Sequence, residues 1–344
     1  MQTSVKKCVY PNNILVVSND GNTISCPLES GNVKLADINN GIQNAWQSPL
    51  YDDFRNNLDK YLNDKNKICW QCNLLERNGA TSLRTELLPI TEDVKLKGVQ
   101  FKLSNKCQLV CAHCGPLLSS SWGKHLGITK PIRNFNLKDN IIEELKELVP
   151  SLNFIRFTGG EPWIDPTHWK ILNELHKIDK KDCELHYITN GLGKIKKELW
   201  EPYKRVLIML SVDGYAESYE WFRRKSSWKD LIKNYENLKK LQNVEVWINF
   251  SITPWTINYL DDCKNFFSER FFTVPIMNPS HCSLASISKE NYEKLGLTNY
   301  PKYSKIIGSN IKPLEHLKNW ALKWDRSWNT IGQAEKIHPW LLKI

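Results

Sequence analysis

The 344-residue sequence lacks any uninterrupted apolar run of the ~18–20 residues a bilayer crossing requires, which excludes a spanning helix. Its start, Met1 to Cys8, leads into Pro11 and Asn12 without the apolar core of a secretory signal. These two absences make a reducing cytoplasm the expected setting, with no membrane partner. Ten cysteines in that setting point to metal ligands or buried thiols in preference to a disulfide framework. Internal repeats and low-complexity stretches are missing too, and with 41% hydrophobic and 24% charged residues the chain is neither fibrous nor largely disordered. The length suits one large domain with an appendage.

Forty-seven Lys and Arg against 37 Asp and Glu leave a formal charge of +10, which favours acidic partners. The basic residues come in scattered pieces, Lys194-Ile195-Lys196-Lys197 and Arg223-Arg224-Lys225 among them. They read as a solvated surface without a dedicated nucleic-acid groove. Fourteen tryptophans are many, and core packing is the first expectation for them over base stacking.

From Val99 onward, strand-like and helix-like segments alternate. Strands are predicted at Val99–Ser104, Asn153–Thr158, Glu184–Thr189, Arg205–Val212, Val244–Thr253 and Phe271–Met277. Helices are predicted at Leu137–Val149, Thr167–Ile178, Lys194–Tyr203, Trp228–Leu241 and Ile257–Ser268. Such alternation means an α/β fold with a parallel sheet, open or curled into a partial barrel. A break near Leu88-Pro89-Ile90-Thr91 separates a cysteine-containing N-terminal region, and residues 288–344 read as mostly helical. The expected division is therefore 1–90, 91–280 and 281–344.

Parallel α/β folds place their chemistry at the C-terminal ends of the strands. After the first predicted strand comes Cys107-Gln108-Leu109-Val110-Cys111-Ala112-His113-Cys114. Three thiolates at that spacing can take three irons of a cubane and leave the fourth open. A zinc site would need a fourth ligand, for which His113 is the candidate. The second strand ends in Thr158-Gly159-Gly160-Glu161-Pro162, where the glycines permit close backbone approach and Glu161 offers a carboxylate to an ammonium group. The next strands end in Thr189-Asn190-Gly191 and Ser211-Val212-Asp213-Gly214, and the fifth carries Asn249 and Ser251. Short polar groups there suit ribose hydroxyls and a carboxylate, or simply form Asx turns and helix caps.

In this order, C-x3-C-x2-C, Gly-Gly-Glu-Pro, Thr-Asn-Gly and Ser-Val-Asp-Gly resemble the radical S-adenosylmethionine enzymes, over roughly Gly98 to Met277. The resemblance implies a partial six-stranded (β/α)6 barrel with a 4Fe–4S cluster on Cys107, Cys111 and Cys114. S-adenosylmethionine would chelate the open iron, with Gly159, Gly160 and Glu161 at its amino group. Thr189, Asn190, Ser211, Asp213 and Asn249 lie where the family contacts ribose or carboxylate. An Arg often follows the fourth strand in that family, so Arg223 or Arg224 would meet the cofactor carboxylate or an acidic substrate; as part of Trp221–Lys225 they otherwise read as a solvated charge run. An acidic donor such as flavodoxin or ferredoxin would supply electrons.

Four further cysteines, Cys8, Cys26, Cys69 and Cys72, lie in the N-terminal region. Asp20 to Pro27 reads as a hairpin ending at Cys26, and Cys69-Trp70-Gln71-Cys72 is followed by Glu76, Gly79, Ser82 and Arg84. Four thiolates fill a cubane or a zinc tetrahedron equally well, so ligand count leaves iron–sulfur and zinc both open. The arrangement resembles the auxiliary-cluster domain called SPASM or, better suited to four cysteines, its shorter single-cluster twitch form, placed before the barrel instead of after it. Proteins with these domains commonly modify peptides or protein side chains, and some oxidise or rearrange small molecules such as nucleosides or sugars. Nucleic-acid modification and a noncatalytic cluster protein are the readings from other classes. Of the remaining cysteines, Cys183 and Cys263 read as core, and Cys282 as core or a substrate contact.

Overall fold

A computed structural model describes residues 8–28, 34–64, 67, 69–77, 79, 82–86, 93–128, 137–178, 182–294, 297, 306–308 and 311–343. The expected break at Leu88–Thr91 lies outside them.

All six predicted strands form, as β4 (Gly98–Lys102), β6 (Phe154–Thr158), β7 (Glu184–Thr189), β8 (Val206–Ser211), β10 (Val244–Ile252) and β11 (Arg270–Pro275). They pair in parallel, in sequence order. The α/β architecture is as expected: an open, largely parallel sheet, compatible with a partial barrel. Side chains alternate across it. Ile155, Phe157, Leu185, Tyr187, Ile208, Leu210, Ile248 and Phe250 pack in one core with the helices Asp139–Leu148, Pro166–His176, Trp228–Leu238 and Leu260–Phe267. Gln100, Arg156, His186, Met209 and Trp247 occupy the opposite, inner face, by register.

The N-terminal region contributes more than a hairpin. β1 (Ile14–Val17) and β2 (Asn22–Ile24) pair antiparallel around Gly21 (φ 81°), with β3 (Ala36–Asp37) beyond. β1 also pairs in parallel with β4, so the sheet runs through nine strands, β11-β10-β8-β7-β6-β4-β1-β2-β3. All four β1 residues are buried.

One predicted helix fails. Lys194–Tyr203 holds only a 3-10 turn at Lys197–Leu199. Pro202 interrupts the segment, and the Trp200 and Tyr203 carbonyls accept from the Asn243 side chain at 3.0 and 3.2 Å instead of from a next helical turn. The tail is helical at Lys289–Lys294, Glu315–Ser327 and Gln333–Ile337. Its Trp324, Ile337, Trp340 and Leu341 join the main core, where Trp163, Trp200, Trp221 and Trp255 are fully buried, as expected of the tryptophans. Among the described residues no helix is long and apolar enough to cross a membrane.

Candidate functional site

The loop after β4 is held from both sides. Ser104 Oγ donates to Asp165, the N-cap of the helix Pro166–His176, and accepts from Lys106 N at 3.1 Å. The Gly-Gly-Glu segment pairs with it through backbone bonds, Gly160 N to Ser104 O at 2.9 Å and Glu161 N to Lys106 O at 2.7 Å. A Cβ on Gly160 would stand 2.2 Å from the Lys106 carbonyl, so only glycine permits this approach. On the far side, β5 (Val110–Cys111) pairs antiparallel with β9 (Arg223–Arg224). The loop thus spans the ends of β4, β6 and β8.

The three cysteines of the loop interact electrostatically with one another. Burial pushes the Cys107 thiol up to about 12 and raises Cys111 well above its ordinary value. Donors face their sulfurs: Leu109 N at 3.5 Å and Asn190 Nδ2 at 3.9 Å from Cys107 Sγ, and Arg223 Nη1 at 3.9 Å from Cys111 Sγ. Hydrogen bonds to sulfur are what an iron–sulfur cluster takes from its protein. Among the described residues two buried polar atoms of the same loop, Gln108 Oε1 and His113 Nδ1, have no hydrogen-bond partner, and the nearest carboxylate oxygen to the latter, Asp213 Oδ2, stands 3.8 Å away. Three thiols, sulfur-directed donors and orphaned polar atoms together fit a cluster with one open iron beside a polar cofactor. His113 stacks on Phe222 (5.3 Å between centroids), and burial holds its pKa down to about 4.

Glu161 and Asp213 stand at the strand ends as expected, with their carboxylates already engaged. Glu161, 1% exposed, accepts from Trp163 N at 3.0 Å, Thr189 Oγ1 at 2.6 Å and Asn190 N at 2.7 Å. It ties β6 to β7. Asp213, fully buried, pairs with Arg223 through Oδ2 at 2.7 Å and accepts Ser251 N on Oδ1 at 2.7 Å, tying β8 to β10. Asn190 continues the arrangement, its Oδ1 accepting from Gln108 Nε2 at 3.1 Å. Ser211 and Asn249 meet at 3.4 Å on the inner face.

The Arg223-Arg224 pair is not a solvated charge run. Both are buried, at 6% and 7% exposure, and Arg224 reaches Asp325 (3.3 Å), Gln333 (2.8 Å) and Thr330 (2.9 Å) in the C-terminal segment. Cys183, Cys263 and Cys282 are all buried. The contact of Gln108 with Asn190 was not foreseen; in the sequence only its place between Cys107 and Cys111 sets it apart.

Cys8, Cys26, Cys69 and Cys72 line one cavity with Tyr10, Phe54, Leu58, Leu62, Leu83 and Arg84. Burial pushes Cys8 and Cys26 up to about 12 each. Arg84 pairs with Glu76, and Ser82 donates to Glu76 at 2.7 Å, bracing the rim. Among the described residues no three His, Cys, Asp or Glu side chains converge tightly enough for a single metal ion. Four thiols facing one cavity are the ligand number that a cubane takes. Cys8 precedes β1 and Cys26 follows the antiparallel β2, so this cavity sits at the opposite end of the strands from Cys107.

The family model described as Radical SAM superfamily matches residues 101–267, and the one described as iron-sulfur cluster-binding domain, SPASM, matches residues 8–73. The radical SAM cyclopropyl synthase TigE of Paramaledivibacter caminithermalis is 26% identical over 206 residues, 54% of this chain and 43% of that protein. The molybdenum cofactor biosynthesis protein 1 of Dictyostelium discoideum is 28% identical over 155 residues, 44% of this chain and 23% of its own length. The chain thus spans less than half the length of these curated relatives. The crystal structure of Streptococcus suis SuiB bound to precursor peptide SuiA aligns with a TM-score of 0.39 at 14% identity, covering 94% of this chain and 71% of that one.

Proposed function

The chain belongs to the radical SAM superfamily and carries an N-terminal SPASM domain, and from that premise we propose that it modifies a side chain of a peptide or protein by hydrogen abstraction. The observation that carries the chemistry is the gathering of Cys107, Cys111 and Cys114 on a loop backbone-paired to Gly160 and Glu161. When bound, the 4Fe–4S cluster and S-adenosylmethionine supply a 5′-deoxyadenosyl radical by one-electron cleavage of the sulfonium. The protein's part is orientation. Gly159 and Gly160 would place backbone near the cofactor's amino end, and Gln108, Asn190, Ser211 and Asn249 would offer it polar atoms. Cys8, Cys26, Cys69 and Cys72 would hold the auxiliary cluster. The substrate class is supported by the SPASM domain, whose family commonly acts on peptides, and by a cavity of about 590 Å³ on the inner face of the sheet. A flavodoxin- or ferredoxin-type donor, being acidic, would suit the +10 chain.

Anaerobic reconstitution followed by mass spectrometry for 5′-deoxyadenosine tests this. Alanine at any of Cys107, Cys111 or Cys114 should abolish its formation; persistence in the triple variant would refute the chemistry. Peptide pools should stimulate it, with deuterium transferred from labelled peptide into 5′-deoxyadenosine. Stimulation by nucleosides or sugars alone would overturn the substrate class.

A further inference from the structure

The inner face carries a cavity of about 590 Å³ at the N-terminal ends of the strands, away from the Cys107 loop. Its wall includes four cations, Lys97, Arg156, Lys204 and Arg205, against two carboxylates, Asp182 and Glu184. The carboxylates are drawn to the rim. Glu184 accepts from Arg205 Nη1 at 3.0 Å and from His186 Nε2 at 2.8 Å, while Asp182 is exposed.

Arg156 is different. It is 9% exposed, and among the described residues no carboxylate lies within ion-pair distance of its guanidinium. Nη2 meets His186 Nδ1 at 3.3 Å, Nη1 reaches the Gln100 amide oxygen at a long 3.4 Å, the neutral Tyr10 hydroxyl also interacts with the guanidinium, and among the described residues Nε has no partner. Because His186 offers Nδ1 as acceptor, its proton sits on Nε2 and points to Glu184, and the ring is neutral. The Phe154 ring lies 4.9 Å from the Arg156 carbon. A buried guanidinium without an anion is costly, and its planar fork matches a carboxylate.

We propose that Arg156, with His186 beside it, is the anchor for a carboxylate of the substrate, so that the enzyme selects peptides with an acidic group near the reacting residue. This rests on the peptide reading above and narrows it. Arg156 lies two residues before the end of β6, so the anchored carboxylate would sit about 7 Å below the strand ends. The reacting carbon would then lie between it and the cofactor. The carboxylate would come from an acidic side chain or a chain terminus.

The test uses reconstituted, two-cluster protein and titration calorimetry with three tripeptides: N-acetyl-Gly-Glu-Gly-amide, N-acetyl-Gly-Gln-Gly with a free C-terminus, and N-acetyl-Gly-Gln-Gly-amide. One of the two carboxylate peptides should bind at least tenfold more tightly than the neutral one, and which one identifies the source. Arg156→Gln should remove that preference, a loss of about 10- to 150-fold, while Arg156→Lys retains part of it. Equal binding of all three by wild type, binding of none, or an undiminished preference in Arg156→Gln would overturn the proposal. The first comparison needs no variant to fold. Wild-type 5′-deoxyadenosine formation with dithionite and no peptide is measured separately; its absence would count against the radical chemistry and leave the binding result standing.

Discussion

Glu161 and Asp213 each join two strand ends, which changes what their amides would do. In Glu161→Gln the new Nε2 accepts no hydrogen bond, so either Asn190 N on one side or Trp163 N on the other loses its acceptor. The expected cost is about 1–3 kcal/mol of stability. A lowered melting temperature with the cluster spectrum retained is the expected outcome; unchanged melting would mean the carboxylate does not tie β6 to β7. Asp213→Asn is harsher, because it leaves the Arg223 guanidinium buried without its anion, and breaking such a pair costs about 3–5 kcal/mol. Arg223 also stands over Cys111, so the variant should assemble its cluster poorly, visible as a reduced charge-transfer band at equal protein. A fully loaded, normally stable Asp213→Asn protein would contradict this account. The residue types at these strand ends were legible in the sequence, but their partners were not, since Thr189, Ser251 and Arg223 reach them only through the fold.

The sheet's elements were legible wherever a buried apolar run was bounded by turn residues, and β7 matches its predicted limits of Glu184–Thr189. The two-residue ribbon of β5 and β9 is too short to leave a periodicity, so burial of Arg223 and Arg224 could not be foreseen from a run that looks like solvated charge. The ribbon links the C-terminal helix to the Cys107–Cys114 loop. Asp325 on Glu315–Ser327 accepts from Trp221 Nε1 at 2.9 Å, Arg224 Nη2 at 3.3 Å and Ala334 N at 2.7 Å. Asp325→Ala strands Trp221 Nε1 and Ala334 N, leaves the Arg224 guanidinium without its anion, and should cost about 3–5 kcal/mol. Because β9 holds Cys111, the loss should extend to the cluster, with faster iron release to a chelator than in wild type. Iron release at the wild-type rate would show the tail to be only a cover.

The N-terminal strand looked separable in the sequence because its pairing with β4 crosses some eighty residues, a distance that no local pattern encodes. In the folded chain β1 sits inside the sheet, and one hydrophobic core runs from Leu15 through the strands to Leu341. A group buried anywhere in that core therefore bears on the unfolding of the whole chain. His168 and His338 are such groups, 0% and 2% exposed, with burial pressing each pKa down to about 3. An unfolded histidine titrates near 6.5, so the folded value is the lower one. Stability from keeping these rings neutral is fully present above pH 6.5 and is lost as pH falls through that value toward 3. At pH 5, about 1.5 units below the unfolded value, each ring costs roughly 2 kcal/mol. The melting temperature of anaerobic protein should therefore fall between pH 7 and pH 5. His338→Gln, which removes one of the two rings, should flatten that fall; an equally steep decline in the variant would mean that His338 takes up no proton when the chain unfolds.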